Sequence, residues 1–357
     1  MRQSEEAIEA KEILFLSQPG PSELLRKQKE NKKRQKAAEE SKFHIPERRE
    51  PEKTEKQGKN RRLIVLLAAA ALVLAFAAGS ALLQGRNESA SETAVNVSED
   101  YAIDWKDDAL EAAMREVTGI SGRDIMYSDV SSIEELDLSR KNITDISALC
   151  SLVNLTDLNL SENQISDISA LNSLRNLTDL NLYRNTISDI SSLKDLSRLE
   201  NLNIASAKIS DISTLSSLTN LHRLEAGYNE ISDVSALGGL QKLTALGLQW
   251  NEIGVISPLS GLTNLQKLEL ERNQIRDINP LRSLTGLTEL NLNQNKISYI
   301  MSLSSLRNLK ELRLARNQIS DIGALRGLTK LYYLDLRKNQ IKDFTPLYGL
   351  NILTLYK

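Results

Sequence analysis

A single cysteine, Cys150, stands among 357 residues, so no disulfide can form within the chain. With Leu149 beside it in a leucine-rich turn, Cys150 reads as a packed or lightly exposed thiol rather than a nucleophile. Histidine is almost as scarce, with only His44 and His222. Neither lies near cysteines at zinc-ligand spacing, and no glycine-rich loop is placed to cradle a phosphate, so no metal, no cofactor and no catalytic centre is expected. His222, directly after Leu221 at the entrance of a predicted strand, reads as a repeat position rather than half of an acid–base pair. Aromatic residues make up 4% of the chain, so a cluster of them would stand out. The net charge of −2 supplies no general attraction for nucleic acid, and nothing indicates a small-molecule substrate.

What the sequence has instead is leucine at a fixed interval. From Leu136 to Leu334 a leucine recurs every 22 residues, through Leu158, Leu180, Leu202, Leu224, Leu246, Leu268, Leu290 and Leu312. Five residues after each stands an asparagine (Asn163, Asn185, Asn229, Asn251, Asn273, Asn295, Asn317 and Asn339), with Lys141 and Ala207 as the exceptions. The segment 155–163 reads LTDLNLSEN and 309–317 reads LKELRLARN, the L-x-x-L-x-L-x-x-N spacing of leucine-rich repeats. In Leu158-Asn159-Leu160 the alternation has period two, so each turn lays down a short strand with leucines on one side. One turn cannot bury its own leucines, and stacking makes the core continuous. The asparagine is expected to end the strand inside that core, its amide satisfied by backbone groups of adjacent turns.

The second half of each turn is as regular: Ile165-Ser166-Asp167-Ile168 returns as Ile187-Ser188-Asp189-Ile190, Ile209-Ser210-Asp211-Ile212 and Ile319-Ser320-Asp321-Ile322. The aspartate suits the cap of a short helical or 3₁₀ turn on the convex side, and one carboxylate per turn makes a poor cation cage. Val255 and Tyr299 replace it, so those two turns are expected to be less well capped.

This repeat resembles the 22-residue class of the internalins and related cell-surface proteins of Gram-positive bacteria. The same repeat length occurs in the cytosolic regulatory subunit of protein phosphatase 1. The resemblance covers about 101–357 and implies an α/β solenoid, a right-handed leucine-rich-repeat horseshoe with a helical N-terminal cap. It also implies binding of other proteins. The internalins usually continue into further domains and anchor through the C-terminus, an arrangement not expected here.

The chain divides into five segments. Residues 1–62 form a charged tail whose stretch from Ser22 to Lys42 could be helical but has almost no apolar face beyond Leu24 and Leu25, and it is expected to be disordered. Residues 63–83, LIVLLAAAALVLAFAAGSALL, carry no charge. As a helix they would measure about 31 Å against a hydrocarbon core of about 30 Å. Eleven of them are Leu, Ile, Val or Phe, contributing roughly −3 to −7 kcal/mol to insertion. A single membrane span is expected, an uncleaved signal anchor rather than a signal peptide. Arg48, Arg49, Lys53, Lys56, Lys59, Arg61 and Arg62 precede it, while only Arg86 follows closely, which puts the N-terminus in the cytoplasm and the repeats outside. Residues 84–100 read as a linker. Residues 101–130 read as the cap, with Asp104 starting a helix over Trp105–Thr118, an apolar face of Leu110, Ala113, Met114 and Val117, and Gly119 ending it. Residues 131–357 hold ten repeats and a partial turn, in which Leu353 and Tyr356 are expected in register.

The strand residues that point away from the core vary, and one group is rich in the side chains that dominate binding hot spots. Tyr228 and Trp250 share a column in successive turns and should lie about 5 Å apart. Tyr183 and Arg184 precede them, Glu225 lies in the strand before Tyr228, and Glu269, Glu271 and Arg272 follow, while Gly227 and Gly247 thin the surface beside the rings. These eight side chains are the expected protein-binding site on the concave wall. The expected function is a membrane-anchored leucine-rich-repeat protein that binds a protein or peptide outside the cell. The alternatives are an envelope-associated protein meeting cell-wall polymer or another membrane protein, or a phosphatase-type scaffold facing the cytosol if the topology is reversed.

Overall fold

The computed structural model describes residues 100–357. The tail (1–62), the apolar segment (63–83) and all of the linker except its last residue lie outside them. Among the described residues no helix is long and apolar enough to cross a membrane.

Eleven three-residue strands, from β1 (Glu135–Asp137) to β11 (Thr354–Tyr356), pair in chain order into one parallel sheet. The leucine column sets the register: Leu136 pairs with Leu158, Leu158 with Leu180, and so on to Leu312 with Leu334. Each of the first ten strands is followed by a 3₁₀ turn such as Ser169–Ser173, whose Leu171 is fully buried, as is Leu174 just after it. The leucines and isoleucines of both halves form one continuous core from the cap to the last turn. The result is a leucine-rich-repeat solenoid with the sheet on one side and the 3₁₀ row on the other.

The asparagine column does what its burial requires. Asn185 Nδ2 donates to Leu160 O (2.9 Å) and Leu182 O (3.0 Å), and its Oδ1 accepts from Ile165 N (3.0 Å). One amide thus ties two neighbouring turns together. Lys141, the first exception, instead reaches Glu116 of the cap. The aspartates also act as caps, though each accepts from the N–H two residues on: Asp167 from Ser169 (2.8 Å) and Asp211 from Ser213 (2.8 Å). At Val255 and Tyr299 that bond is missing, yet Ser257–Gly261 and Met301–Ser305 still form 3₁₀ turns. Stacking against neighbours supplies what the missing cap does not.

Two details of the cap and one of the last turn differ from the expectation. The helix α1 runs Asp108–Thr118, and Asp107 rather than Asp104 caps it, accepting from Leu110 N at 2.8 Å. Lys106 just before it has φ 59°, so the chain enters the helix through a left-handed residue that a helix beginning at Trp105 could not contain. Val117 is 48% exposed, because Leu110, Ala113 and Met114 already fill the contact with the first repeat. Gly119 ends the helix at φ 72°, as its position suggested. In the last turn Leu334 pairs with Leu355 and Asp335 with Tyr356. That turn is one residue short, since Ile352 follows Leu350 by two residues where Leu331 follows Leu328 by three. A slip of one residue exchanges the faces of a strand. Leu353 is therefore 84% exposed, and Ile352 and Leu355 pack against the core instead.

Candidate functional site

The open face of the sheet is made by residues flanking the strand leucines and by the loop that follows each strand. The residue before each asparagine adopts a left-handed backbone in every turn, for example Tyr228 at φ 58°, Trp250 at 57° and Arg272 at 52°. That conformation is unfavourable for residues with a Cβ, and the ladder bonds on both sides hold it: Tyr228 N donates to Gln249 O (2.8 Å) and Trp250 N to Glu271 O (2.7 Å).

Tyr228 and Trp250 are stacked, with ring centroids 5.2 Å apart and planes inclined by 18°. The Arg272 guanidinium sits 3.5 Å from the centroid of the Trp250 ring, one turn further along. Three successive turns of one column thus form a single stack, capped by a cation–π contact. Tyr228 remains 36% exposed.

The other expected residues divide into separate groups. Arg184 lies over its own neighbour Tyr183 (5.3 Å) and approaches Glu162 (3.6 Å). Ala205 and Ser206 occupy the turn between this pair and Tyr228, so the aromatic stack does not extend to Tyr183. Glu269 pairs with Lys267 (3.3 Å), which also reaches Glu289 (3.4 Å). Glu271 accepts from Asn291 Nδ2 (3.1 Å) and Gln294 Nε2 (3.0 Å) and so belongs to the next turn's polar network. Glu225 is half-buried, its carboxylate lying over Gly247. Burial pushes its carboxyl above the ordinary value, Lys267 and Arg223 draw it down, and Glu269 adds to the rise.

The surface beside the rings is not thinned as the glycines suggested. A Cβ on Gly227 would stand 2.6 Å from the Gln249 side chain, and one on Gly247 would collide with Glu225 Oε2. The room left by the two glycines is filled by side chains folded over them.

Residue reading missed Gln249 and Lys267, and it missed a second aromatic group near the end of the array. Arg313 lies 4.7 Å from the Tyr333 ring, Tyr333 and Tyr356 have centroids 5.9 Å apart, and Arg337 lies 4.5 Å from the Tyr356 ring. Tyr333, just before a column leucine, could have been read from spacing. Tyr356 could not, because only the shortened last turn moves it out of the leucine column. Among the described residues no three His, Cys, Asp or Glu side chains gather as a metal site, and Cys150 is exposed. His222 is half-buried, and its Nδ1 has no hydrogen-bond partner.

A family model described as leucine-rich repeats (2 copies) matches residues 131–173, 241–283, 263–307 and 307–349. Among solved structures, the chain is similar to internalin C2 of Listeria monocytogenes at 30% identity, covering 73% of this chain and 99% of that one, with a TM-score of 0.45. It is similar in fold to the functional domain of InlJ from Listeria monocytogenes at 20% identity, covering 74% and 72%, with a TM-score of 0.53. It is also similar in fold to the ectodomain of the Arabidopsis thaliana receptor kinase GASSHO1/SCHENGEN3 at 24% identity, covering 63% and 29%, with a TM-score of 0.57. A search of curated protein sequences finds no match.

Proposed function

This chain belongs to the internalin-like leucine-rich-repeat proteins, and from that premise we propose that it is a membrane-anchored receptor-type scaffold that binds a protein or peptide on the open face of its sheet. The observation that carries the reading is the Tyr228–Trp250–Arg272 stack. Large aromatics and arginine held rigidly on a surface give up little entropy on binding and are the usual centres of interface energy. Solenoids offer this kind of extended surface to their partners. The plant receptor ectodomain, similar in fold, was solved in complex with CASPARIAN STRIP INTEGRITY FACTOR 2.

A sugar polymer is a poorer fit to the stack. Tyr228 and Arg272 stand in the turns on either side of Trp250 and cover its ring from both, so the indole offers no free face to a sugar ring. The anchor in this proposal is the apolar segment 63–83, with the repeats outside the membrane and the basic flank inside.

Two experiments test the proposal. Peptides selected from a displayed random library on the full-length protein should lose about 30-fold or more in affinity for the Tyr228→Ala/Trp250→Ala variant, with far-UV circular dichroism unchanged. Undiminished affinity rejects this face. Protease added to intact cells should remove the repeats and spare an epitope tag on the N-terminal tail, and the opposite pattern rejects the topology.

A further inference from the structure

On the flank where each turn passes from its 3₁₀ segment into the next strand, one column is built of amides and cations. Asn176, Asn220 and Asn308 each accept through Oδ1 from the long cation one turn later: Arg198 (2.9 Å), Lys242 (2.7 Å) and Lys330 (2.7 Å). The amide nitrogens reach back to the turn before, Asn264 Nδ2 to Gln241 O (2.8 Å) and Asn308 Nδ2 to Thr285 O (2.9 Å). Gly286 breaks this column, so no cation follows Asn264 and no amide reaches back to Thr263. A cavity of about 460 Å³ opens there, between Asn264 and Gln266 on one side and Thr288, Asn308, Lys310 and Lys330 on the other. That volume is ordinary for a small-molecule site.

The charge of the flank is a second and independent feature. Seven successive segments before a strand (213–222, 235–244, 257–266, 279–288, 301–310, 323–332 and 345–353) hold no aspartate or glutamate, whereas the turn preceding them has Asp195 and Glu200. Around the cavity these segments carry Arg282, Arg307, Lys310, Arg326 and Lys330, all exposed. Among the described residues none of the five is in an ion pair. The carboxylates that begin the adjoining strands are engaged elsewhere, Glu289 by Lys267 (3.4 Å) and Glu311 by Arg313 (2.8 Å). A local positive field thus stands on a chain whose net charge is −2.

We propose that this flank binds an acidic polysaccharide, with one sugar unit seated in the cavity beside Gly286. The walls are hydroxyl, amide, ammonium and peptide groups, with no aromatic side chain, so an apolar ligand gains little there and a protein partner finds none of the anchors that dominate interfaces. Sugar hydroxyls both donate and accept, as do the Thr288 hydroxyl and the Asn264 and Gln266 amides. A carboxylate on the same unit meets the ammonium groups of Lys310 and Lys330. Further acid groups along the chain meet Arg282, Arg307 and Arg326, and length is what a flank of several turns rewards. The cavity residues precede the strands, whereas Tyr228, Trp250 and Arg272 follow them, so this site is separate from the aromatic stack and does not rest on it.

The test is calorimetric titration of the full-length protein in neutral detergent with tetragalacturonate, with the uncharged galactose tetramer of the same linkage, with tetraglutamate, and with phosphatidylglycerol vesicles. Tetragalacturonate should bind at least about tenfold tighter than its uncharged twin and than tetraglutamate, and added salt should weaken it. Lys310→Met/Lys330→Met should lose about tenfold or more. Gly286→Asn leaves the charge unchanged and places in the cavity the side chain found one turn before and one turn after, so it should also lose about tenfold. Tyr228→Ala/Trp250→Ala should bind the tetramer as the wild type does. Undiminished binding by the lysine variant overturns the site, and so does the absence of any tetragalacturonate binding. Equal binding of tetraglutamate overturns the sugar assignment in favour of an acidic peptide, and binding of the vesicles alone overturns it in favour of a membrane surface. Loss in the Tyr228→Ala/Trp250→Ala variant overturns the separate site and moves the polysaccharide to the stack.

Discussion

Asp107 Oδ2 accepts two hydrogen bonds from Thr144, one from its backbone N at 2.9 Å and one from its hydroxyl at 2.7 Å. The same oxygen accepts from Asp145 N at 3.0 Å, while Oδ1 caps α1 through Leu110 N. One carboxylate therefore starts the cap helix and fastens it to the first repeat. Burial alone would raise the Asp107 carboxyl, but the bonds from Thr144, Asp145 and Leu110 outweigh it and hold the group at about 2, below its ordinary 3.8. A carboxyl depressed on folding stabilises the protein above its unfolded value and loses that contribution as pH falls through the folded one. Cap stability should accordingly fall between about pH 4 and pH 2 in the wild type, by an amount on the order of 1 kcal/mol after solvent screening. Asp107→Ala should cost about 2–3 kcal/mol near neutral pH, through the lost helix cap and the orphaned N–H groups, and should lose less stability than the wild type across this pH window, the remaining dependence coming from other depressed carboxyls such as Asp129. Urea unfolding followed by Trp105 fluorescence measures both, and an unchanged midpoint in the variant refutes the fastening role.

Ala207 interrupts the asparagine ladder. By the pattern of Asn185, an asparagine at this place would donate to Leu182 O and Ile204 O and accept from Ile187 N. Ala207→Asn should add about 1 kcal/mol, seen as a higher urea midpoint at unchanged slope. The reverse change in an intact turn, Asn251→Ala, removes bonds to Ala226 O and Leu248 O and one from Ile231 N, and should cost about 2–3 kcal/mol.

Val255 stands 67% exposed where other turns place a capping aspartate. Val255→Asp should accept from Ser257 N as Asp233 does from Ser235 N (2.8 Å), raising stability by about 0.5–1 kcal/mol. Thermal denaturation checks it, and a destabilised variant would mean that the valine packs rather than fills a gap.

Gly247→Ala puts a methyl where Glu225 Oε2 lies. The variant should cost about 1 kcal/mol in the wild type and nothing when Glu225 is also alanine, a coupling that a double-mutant cycle reads directly. Additivity of the two changes would show that the glycine serves some other purpose.

Repetition made most of this molecule legible in one dimension. When leucines return every 22 residues, a strand, a buried amide and a capped turn must follow, because each stacked turn repeats the same burial problem. The spacing of Tyr228 and Trp250 in one column likewise required their rings to meet, since successive turns stand one strand apart. What periodicity could not carry were departures from it and the paths of side chains. The missing residue between Leu350 and Ile352 exchanged the faces of the last strand and brought Tyr356 beside Tyr333. Lys106 moved the start of the helix. Glu225 and Gln249 folded over two glycines whose emptiness the sequence shows and whose occupants it does not. Column position fixes where a side chain begins, and only packing in three dimensions decides where it ends.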